Sequence, residues 1–227
     1  MILIDGDIVA YRCAYKSRDD RAEYAAYSAG SYLSDLISDL YILIEDEPEY
    51  RVFLTGKGNF RHDYAVTAGY KENRKDKEKP EHLAVIRQYL IDEWEAVVSE
   101  GEEADDLIAI AATQQPSIIV SIDKDFDQVP GKHFNPNTGK LYDVSEEDAV
   151  KFLYEQILTG DRADNIMGIK GVGPVKAKKA LADCVTERQM YDVCVEMYGD
   201  EERVIENGRL LYLRRKEGEI WNAPNAE

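Results

Sequence analysis

The chain has 227 residues, of which 28 are Lys or Arg and 45 are Asp or Glu, giving a formal charge of −17. That acidity excludes an indiscriminate polyanion binder, because such proteins gain affinity by neutralising phosphates. With 44 % hydrophobic and 32 % charged residues and no apolar run of membrane-spanning length, the composition is that of a soluble globular protein with one main domain and a small lobe.

The N-terminal MILIDGDIVAY has neither a basic flank nor a small-residue cleavage site, so it does not read as a signal peptide and implies a cytosolic setting. Met1–Ile4 predicts a buried strand that meets a loop at Asp5-Gly6-Asp7. Leu33, Leu36, Ile37, Leu40, Tyr41 and Ile44 recur at three- and four-residue spacing and predict an amphipathic helix over 28–44. Tyr50–Leu54 is a second strand, and the charged, apolar-poor segment 56–80 reads as an exposed, mobile loop or weak helix. Pro80 opens a helix over 81–92, a short strand follows at Glu95–Val98, and Glu103–Thr113 is helical. Ser117–Ile122 is a buried strand ending at Asp123-Lys124-Asp125. This alternation predicts a parallel α/β sheet with helices on both faces, whose site lies beyond the carboxyl ends of the strands. The acids at 5, 7, 123 and 125 fall at those ends.

Further along, Ser145–Asp148 matches a capping box for a helix over 146–158 that Gly160 closes. Helices near 174–183 and 186–198 follow, and Asn207-Gly208 between RVIE and RLLYLRR signals a hairpin unless a helix runs up to it. Cys13, Cys184 and Cys194 fit neither a disulfide framework nor zinc spacing and read as reduced structural thiols. Basic residues gather in three islands, seven in 57–79, five in 162–179 and four in 209–216, which leaves the remaining surface strongly acidic.

Four acidic clusters carry the chemistry: Asp5 and Asp7; Glu103, Asp105 and Asp106; Asp123 and Asp125; Asp161 and Asp164. Hard cations such as Mg²⁺ take oxygen ligands and keep several waters, so a catalytic pair of ions draws carboxylates from several elements. Taken singly, each cluster has a plainer explanation, since acids at 102–106 favour a helix N-terminus and the others suit turns or caps. Their coincidence favours a metal site: three clusters fall where the fold rule places a site, and the fourth adjoins a phosphate-type hairpin. Zinc fits poorly, because His62, His82 and His133 are scattered and read as surface or loop residues. There is no G-x-S-x-G, and Gly171-Val172-Gly173 lacks the strand before it and the G-K-[ST] after it that a P-loop requires.

In IKGVGPVKAKKAL, Gly171 and Gly173 permit a tight turn that bares backbone N–H groups, and Pro174 starts the next helix. Lys176, Lys178 and Lys179 add positive charge, so the stretch reads either as a phosphate contact or as an ordinary hairpin with a solvated lysine face.

Taken together, IDGD (4–7), YKENRK (70–75), EEADD (102–106), SIDKDF (121–126) and GDRADNIMGIKGVG (160–173) make the chain resemble the 5′-nuclease or flap endonuclease superfamily, most closely its bacteriophage 5′–3′ exonucleases. The resemblance covers most of the chain. It implies a Rossmann-like α/β nuclease core over 1–145 with an exposed arch or gateway at 56–80. It also implies a helix-three-turn-helix lobe over 146–200 that grips duplex DNA, and a hairpin or tail over 201–227 that packs on the core. By this likeness Asp5, Glu103, Asp105, Asp106, Asp123, Asp125, Asp161 and Asp164 match metal-binding acids. Lys71 and Arg74 match gateway residues that meet the scissile phosphate, and Tyr70 one that stacks on a base. The same likeness implies that Gly171, Val172, Gly173, Lys176, Lys178 and Lys179 hold the duplex backbone and that K⁺ sits at the glycine hairpin. In one place the chain departs from the family pattern: Leu54-Thr55-Gly56-Lys57 offers no carboxylate where the family has another metal-binding aspartate, so either one metal position is weak or Asp7 fills the gap.

The implied activity is hydrolysis of DNA phosphodiester bonds from the 5′ end by two or more Mg²⁺ ions, with Mn²⁺ as a substitute, during replication or DNA processing. Its partners are DNA with free 5′ ends, flaps or junctions, and RNA–DNA hybrids where primers are removed; no membrane is involved, and the sequence is silent on oligomeric state. The compartment is the cytoplasm, that of a bacterial host if the gene belongs to a phage. The alternative is a DNA-junction-binding accessory protein with weak or lost catalysis, which the missing carboxylate supports. A ribonuclease of the related PIN fold is disfavoured by the GIKGVG stretch.

Overall fold

A computed structural model describes residues 1–225. The chain divides into two compact units, the first made of Met1–Gly58, Glu78–Phe126 and Gly131–Asp143, the second of Asn59–Lys77, Asp127–Pro130 and the residues from Val144 on. The chain begins with β1 (Ile2–Asp5), α1 (Gly6–Lys16), α2 (Ala22–Ile44) and β2 (Tyr50–Lys57), then α3 (Arg61–Tyr64), which belongs to the second unit. The first unit resumes with α4 (Leu83–Trp94), β3 (Val97–Glu100), α5 (Ala104–Gln114), β4 (Ile118–Val120), β5 (Gly131–Asn135) and β6 (Lys140–Val144). The second unit continues with α6 (Glu146–Thr159), the short strands β7 (Gly160–Asp161) and β8 (Ile166–Met167), α7 (Pro174–Ala180), α8 (Glu187–Tyr198) and α9 (Glu201–Leu211).

In the first unit the sheet order is β3-β2-β1-β4-β5-β6. β1 pairs in parallel with both β2 and β4, β2 with β3, and β4 with β5, so the predicted parallel α/β sheet is present. All four residues of β1 are buried, as a strand covered on both faces requires. The chain steps from β1 outward through β2 to β3, then returns to β4 on the other side of β1. That reversal is the topological switch point, where the carboxyl ends of neighbouring strands open a crevice.

No loop follows β1. α1 starts at once, because the Asp5 side chain accepts a hydrogen bond from the Ile8 amide at 3.2 Å and so acts as the helix cap. Gly6 makes the sharp passage possible: a Cβ there would stand 2.6 Å from the Phe53 carbonyl oxygen. The Asp-Gly-Asp pattern that reads as a turn is therefore a strand-to-helix junction. α2 begins at Ala22, ahead of the predicted 28, and packs Leu33, Leu36 and Leu40 into the core with Ile86 and Leu90 of α4. His82 and His133, read as surface or loop residues, are buried at 7 % and 2 % exposure, and His82 Nε2 is bonded to the Asp20 carbonyl at 2.9 Å. Strands β5 and β6 escape the sequence pattern because their residues are mostly polar or half-exposed; Asn135 Oδ1 organises the turn between them, accepting from the Asn137 amide at 2.9 Å. Among the described residues no helix is long and apolar enough to cross a membrane.

The second unit has its own core, with Tyr154, Ile157, Leu158, Tyr191 and Val204 fully or almost fully buried. α6 is capped as predicted, Ser145 Oγ accepting from the Asp148 amide at 3.0 Å. The segment 56–80 is not the loose loop its charge suggests. Arg61 is 1 % exposed, donates to the carbonyls of Leu210 at 2.9 Å and Tyr212 at 2.8 Å, and lies over the Phe60 ring. Glu206 accepts from the Val66 amide at 2.9 Å, the Thr67 amide at 2.7 Å and the Thr67 hydroxyl at 2.6 Å, and pairs with Arg203. These charges sit inside because backbone groups meet them, which a count of charges cannot show.

The expected hairpin at Asn207-Gly208 is instead interior to α9. Asn207 is fully buried and its amide donates to the Met167 carbonyl at 3.0 Å, while a Cβ on Gly208 would stand 2.3 Å from the Trp221 ring. Asn-Gly here serves packing rather than a turn. Residues 201–225 group with the second unit, and residues 226–227 of the expected tail lie outside those described.

Burial alone would raise the Glu206 pKa, but the Thr67 hydrogen bonds and the Arg203 charge together hold it below the ordinary carboxylate value. A depressed folded pKa stabilises the fold above the unfolded pKa of about 4.3 and loses that contribution as pH falls through the folded value. Glu206→Gln is expected to cost about 2 kcal/mol at neutral pH, with the gap to the native chain shrinking below about pH 4. Urea melts at pH 7 and pH 3 measure it; an equal gap at both would contradict the charged role.

Candidate functional site

At the carboxyl edge of the sheet, β1 ends in Asp5, which is 4 % exposed. One of its oxygens is the α1 cap described above; the other accepts from Ser121 Oγ at 3.0 Å, just beyond β4. Ser121 Oγ in turn accepts from the Asp123 amide at 3.0 Å, and Asp123 Oδ1 accepts from the Asp125 amide at 2.9 Å. This chain of bonds joins two sequence-distant acidic motifs across the switch point. Burial first, then the charge of Asp7 and to a smaller extent that of Asp123, push the Asp5 pKa up to about 7, against the opposing bonds from Ile8 and Ser121.

The third cluster opens α5, which packs on β1 and β2. Glu103 and Asp106 form a capping box, the Glu103 amide donating to Asp106 Oδ2 at 3.1 Å, so the plain helix-end explanation does apply to these two. Both are nonetheless buried at the sheet edge, at 8 % and 0 % exposure, with Asp105 half-buried between them. The same helix start is tied to β2 by the Ala104 amide, which donates to Thr55 Oγ1 at 3.0 Å. Thr55 lies at a register irregularity in the β2–β3 pairing, a common device for re-aiming side chains beside a site.

Asp7, whose charge bears on Asp5, has partners of its own. Its Oδ2 accepts from the Thr55 amide at 2.9 Å and its Oδ1 from Arg87 of α4, whose second nitrogen donates to the Thr55 carbonyl. Arg87 and Ser121 are the site residues that sequence reading passes over. An arginine on an amphipathic helix looks like a solvated charge, and a serine after a strand looks like loop.

The donor set suits a hard divalent cation, since every group is an oxygen and the buried Asp5 carboxylate is crowded by like charges that a cation would relieve. Among the described residues no three His, Cys, Asp or Glu side chains already converge on one point. Mg²⁺ does not need such a cage, because it keeps several waters and takes one or two carboxylates.

In the second unit, Asp164 collects three of the other predicted site residues. Its Oδ2 accepts from the Tyr70 hydroxyl at 3.0 Å and lies 3.4 Å from Lys71 Nζ, and its Oδ1 pairs with Arg74. The Arg74 Nε also donates to the Ala163 carbonyl at 2.8 Å, and the Lys71 amide to the Asp164 carbonyl at 2.9 Å. Tyr70 is only 3 % exposed, so it is not placed to stack on a base as expected: its ring fills the second unit's core and its hydroxyl finds the acceptor a buried phenol requires. Asp161, in β7, accepts from the Ala163 amide at 2.6 Å and shapes the turn that presents Asp164.

At the glycine hairpin, which joins β8 to α7, Gly171 has φ +79°, a conformation that favours glycine. Its carbonyl accepts from Lys176 Nζ at 2.8 Å, Val172 is half-buried, and Gly173 caps α7 with Pro174 at the first position. Lys178 and Lys179 remain exposed, Lys178 Nζ lying 4.0 Å from Glu155.

A family model described as 5′-3′ exonuclease, N-terminal resolvase-like domain, matches residues 1–155. DNA polymerase I of Bacillus caldotenax is 28 % identical over 229 residues, covering 88 % of this chain and 25 % of that protein. Flap endonuclease Xni of Shewanella halifaxensis is 28 % identical over 165 residues, 65 % of each chain. The chain thus spans about a quarter of the polymerase and somewhat under two thirds of the Xni protein. In fold it is similar to T5 5′-exonuclease with bound divalent metal ions (zinc), with a TM-score of 0.71 at 21 % identity over 93 % of this chain and 88 % of that one. It is also similar to the bacteriophage T5 D15 flap endonuclease in a pseudo-enzyme-product complex with DNA and metal ions, with a TM-score of 0.67 at 19 % identity over 92 % and 88 %. From its motifs, its sheet and this match over most of its length, the chain belongs to the 5′-3′ exonuclease family defined by that N-terminal resolvase-like domain.

Proposed function

We propose that the chain is a divalent-metal-dependent 5′ nuclease that hydrolyses DNA phosphodiester bonds at free 5′ ends, flaps or junctions. The observation that carries this reading is the buried, charge-crowded Asp5 carboxylate at the switch point, bonded through Ser121 toward Asp123 and Asp125. Membership in the 5′-3′ exonuclease family supports it. Mg²⁺ is the proposed ion, with Mn²⁺ as a substitute, and RNA primers on DNA are a further substrate in replication or DNA processing.

A bound divalent cation supplies a lowered pKa for water and charge stabilisation on the phosphodiester. Carboxylates among Asp5, Glu103, Asp105, Asp106, Asp123 and Asp125 would hold it, one or two directly and the others through its waters, with Asp5 fixed in orientation by its two hydrogen bonds. Lys71 and Arg74, with side chains 25 % and 44 % exposed, exchange the Asp164 carboxylate for a substrate phosphate, and Tyr70 keeps Asp164 in place. Lys178 and Lys179 meet the DNA backbone without reading sequence. Lys176 clips the hairpin, so K⁺ binding at the Gly171 carbonyl requires that ammonium to move. A junction-binding protein with weak catalysis is the second reading, favoured by Thr55 standing in the stretch that lacks a carboxylate.

Cleavage of a 5′-recessed duplex and a 5′-flap substrate tests the reading. The native chain is expected to cut with Mg²⁺ and not with EDTA, and Asp125→Asn to lose at least about 100-fold in rate. Binding without cutting under either Mg²⁺ or Mn²⁺ would overturn it in favour of the accessory protein. The paired substitution Lys178→Ala with Lys179→Ala is expected to weaken DNA binding and to flatten the slope of log affinity against log salt by about 2. An unchanged slope in fluorescence anisotropy would remove these lysines from the interface.

A further inference from the structure

We infer that the Arg87 guanidinium takes the place of a divalent cation beside Asp7, so that Asp7 is a partner of a resident positive charge and not a metal ligand. The inference rests on the metal-site reading above and deepens it. It starts from the stretch Leu54-Thr55-Gly56-Lys57, which offers no carboxylate at the end of β2. At that place Asp7 Oδ2 accepts from the Thr55 amide, Asp7 Oδ1 pairs with Arg87, and the other Arg87 nitrogen donates to the Thr55 carbonyl. The three residues close a ring in which both Asp7 oxygens and both terminal guanidinium nitrogens are engaged.

The geometry separates this pair from an ordinary helix–helix tie. A salt bridge that merely joined α4 to α1 would end on side chains, whereas Arg87 also anchors to the backbone of β2 beside the acids. The planar, permanently charged guanidinium suits such a fork, and unlike a hydrated ion it cannot leave. The pair is about three-quarters buried, with Arg87 and Asp7 side chains 24 % and 23 % exposed, so water screens its charge only in part. A second cation pushed against Asp7 would meet Arg87 at contact distance and be repelled. On the metal-site reading, the acids bonded to Asp5 through Ser121 are where a divalent ion is taken up.

Mn²⁺ binding, followed by the electron paramagnetic resonance signal of the free ion, separates the possibilities without reference to activity. The native chain is compared with Asp5→Asn, Asp7→Asn, Arg87→Gln and Arg87→Lys, each checked for folding by circular dichroism. Asp5→Asn is expected to lose an ion or weaken it by at least about tenfold, while Asp7→Asn and Arg87→Lys stay within about twofold of native. Arg87→Gln uncovers Asp7 and is expected to add an ion or tighten binding by about tenfold. If Asp7→Asn loses an ion, or if a folded Arg87→Gln binds as the native chain does, the inference is overturned while the metal-site reading stands. If Asp5→Asn also binds Mn²⁺ as the native chain does, the metal-site reading fails and the inference with it.

Discussion

A carboxylate ends the central, fully buried strand, and the rest of the first unit is arranged around that fact. Placing Asp5 at 4 % exposure beside other acids is unfavourable unless something positive or hydrogen-bonding meets it. The Ile8 amide and Ser121 hydroxyl meet its two oxygens, but burial and the neighbouring charges still dominate, which is why its pKa rises. The sheet topology explains why such a position exists: a strand at the switch point has its carboxyl end between two diverging crossovers. Gly6 then allows the chain to turn into α1 without displacing Phe53 from the neighbouring strand.

The second unit solves the same problem differently. Asp164 is surrounded by Lys71, Arg74 and the Tyr70 hydroxyl, and Glu206 by Thr67, the Val66 amide and Arg203. Here the compensating charges come from the chain itself. The segment 59–77 owes its order to these contacts and to buried Arg61, because its own apolar content is low. A polar segment has become part of a core through paired charge and backbone bonding rather than through hydrophobic periodicity.

Much of this was legible before any coordinates. Apolar runs at 1–4, 50–54 and 117–122 and the helical spacing over 28–44 survive folding because burial on both sheet faces and on one helix face selects for them. The acids were legible as candidates because strand ends in a parallel sheet share one edge. Less visible were features that depend on a distant partner. Asp-Gly-Asp looks like a turn unless the approach of Phe53 is known, and Asn207-Gly208 looks like a hairpin unless Trp221 is known to fill the space over the glycine. Arg87 and Arg61 carry no local signal, since a charged residue gives no hint that backbone carbonyls distant in sequence will accept from it.

The central claim is that the carboxylates at the sheet's switch point form a divalent-cation site. Anomalous scattering from crystals soaked in Mn²⁺ tests it most directly, because it locates the ion rather than inferring it from activity. The account predicts a peak within about 2.2 Å of a carboxylate oxygen of the Asp5, Asp123 or α5 acids. Crystals at saturating Mn²⁺ with ions only elsewhere on the molecule would contradict it.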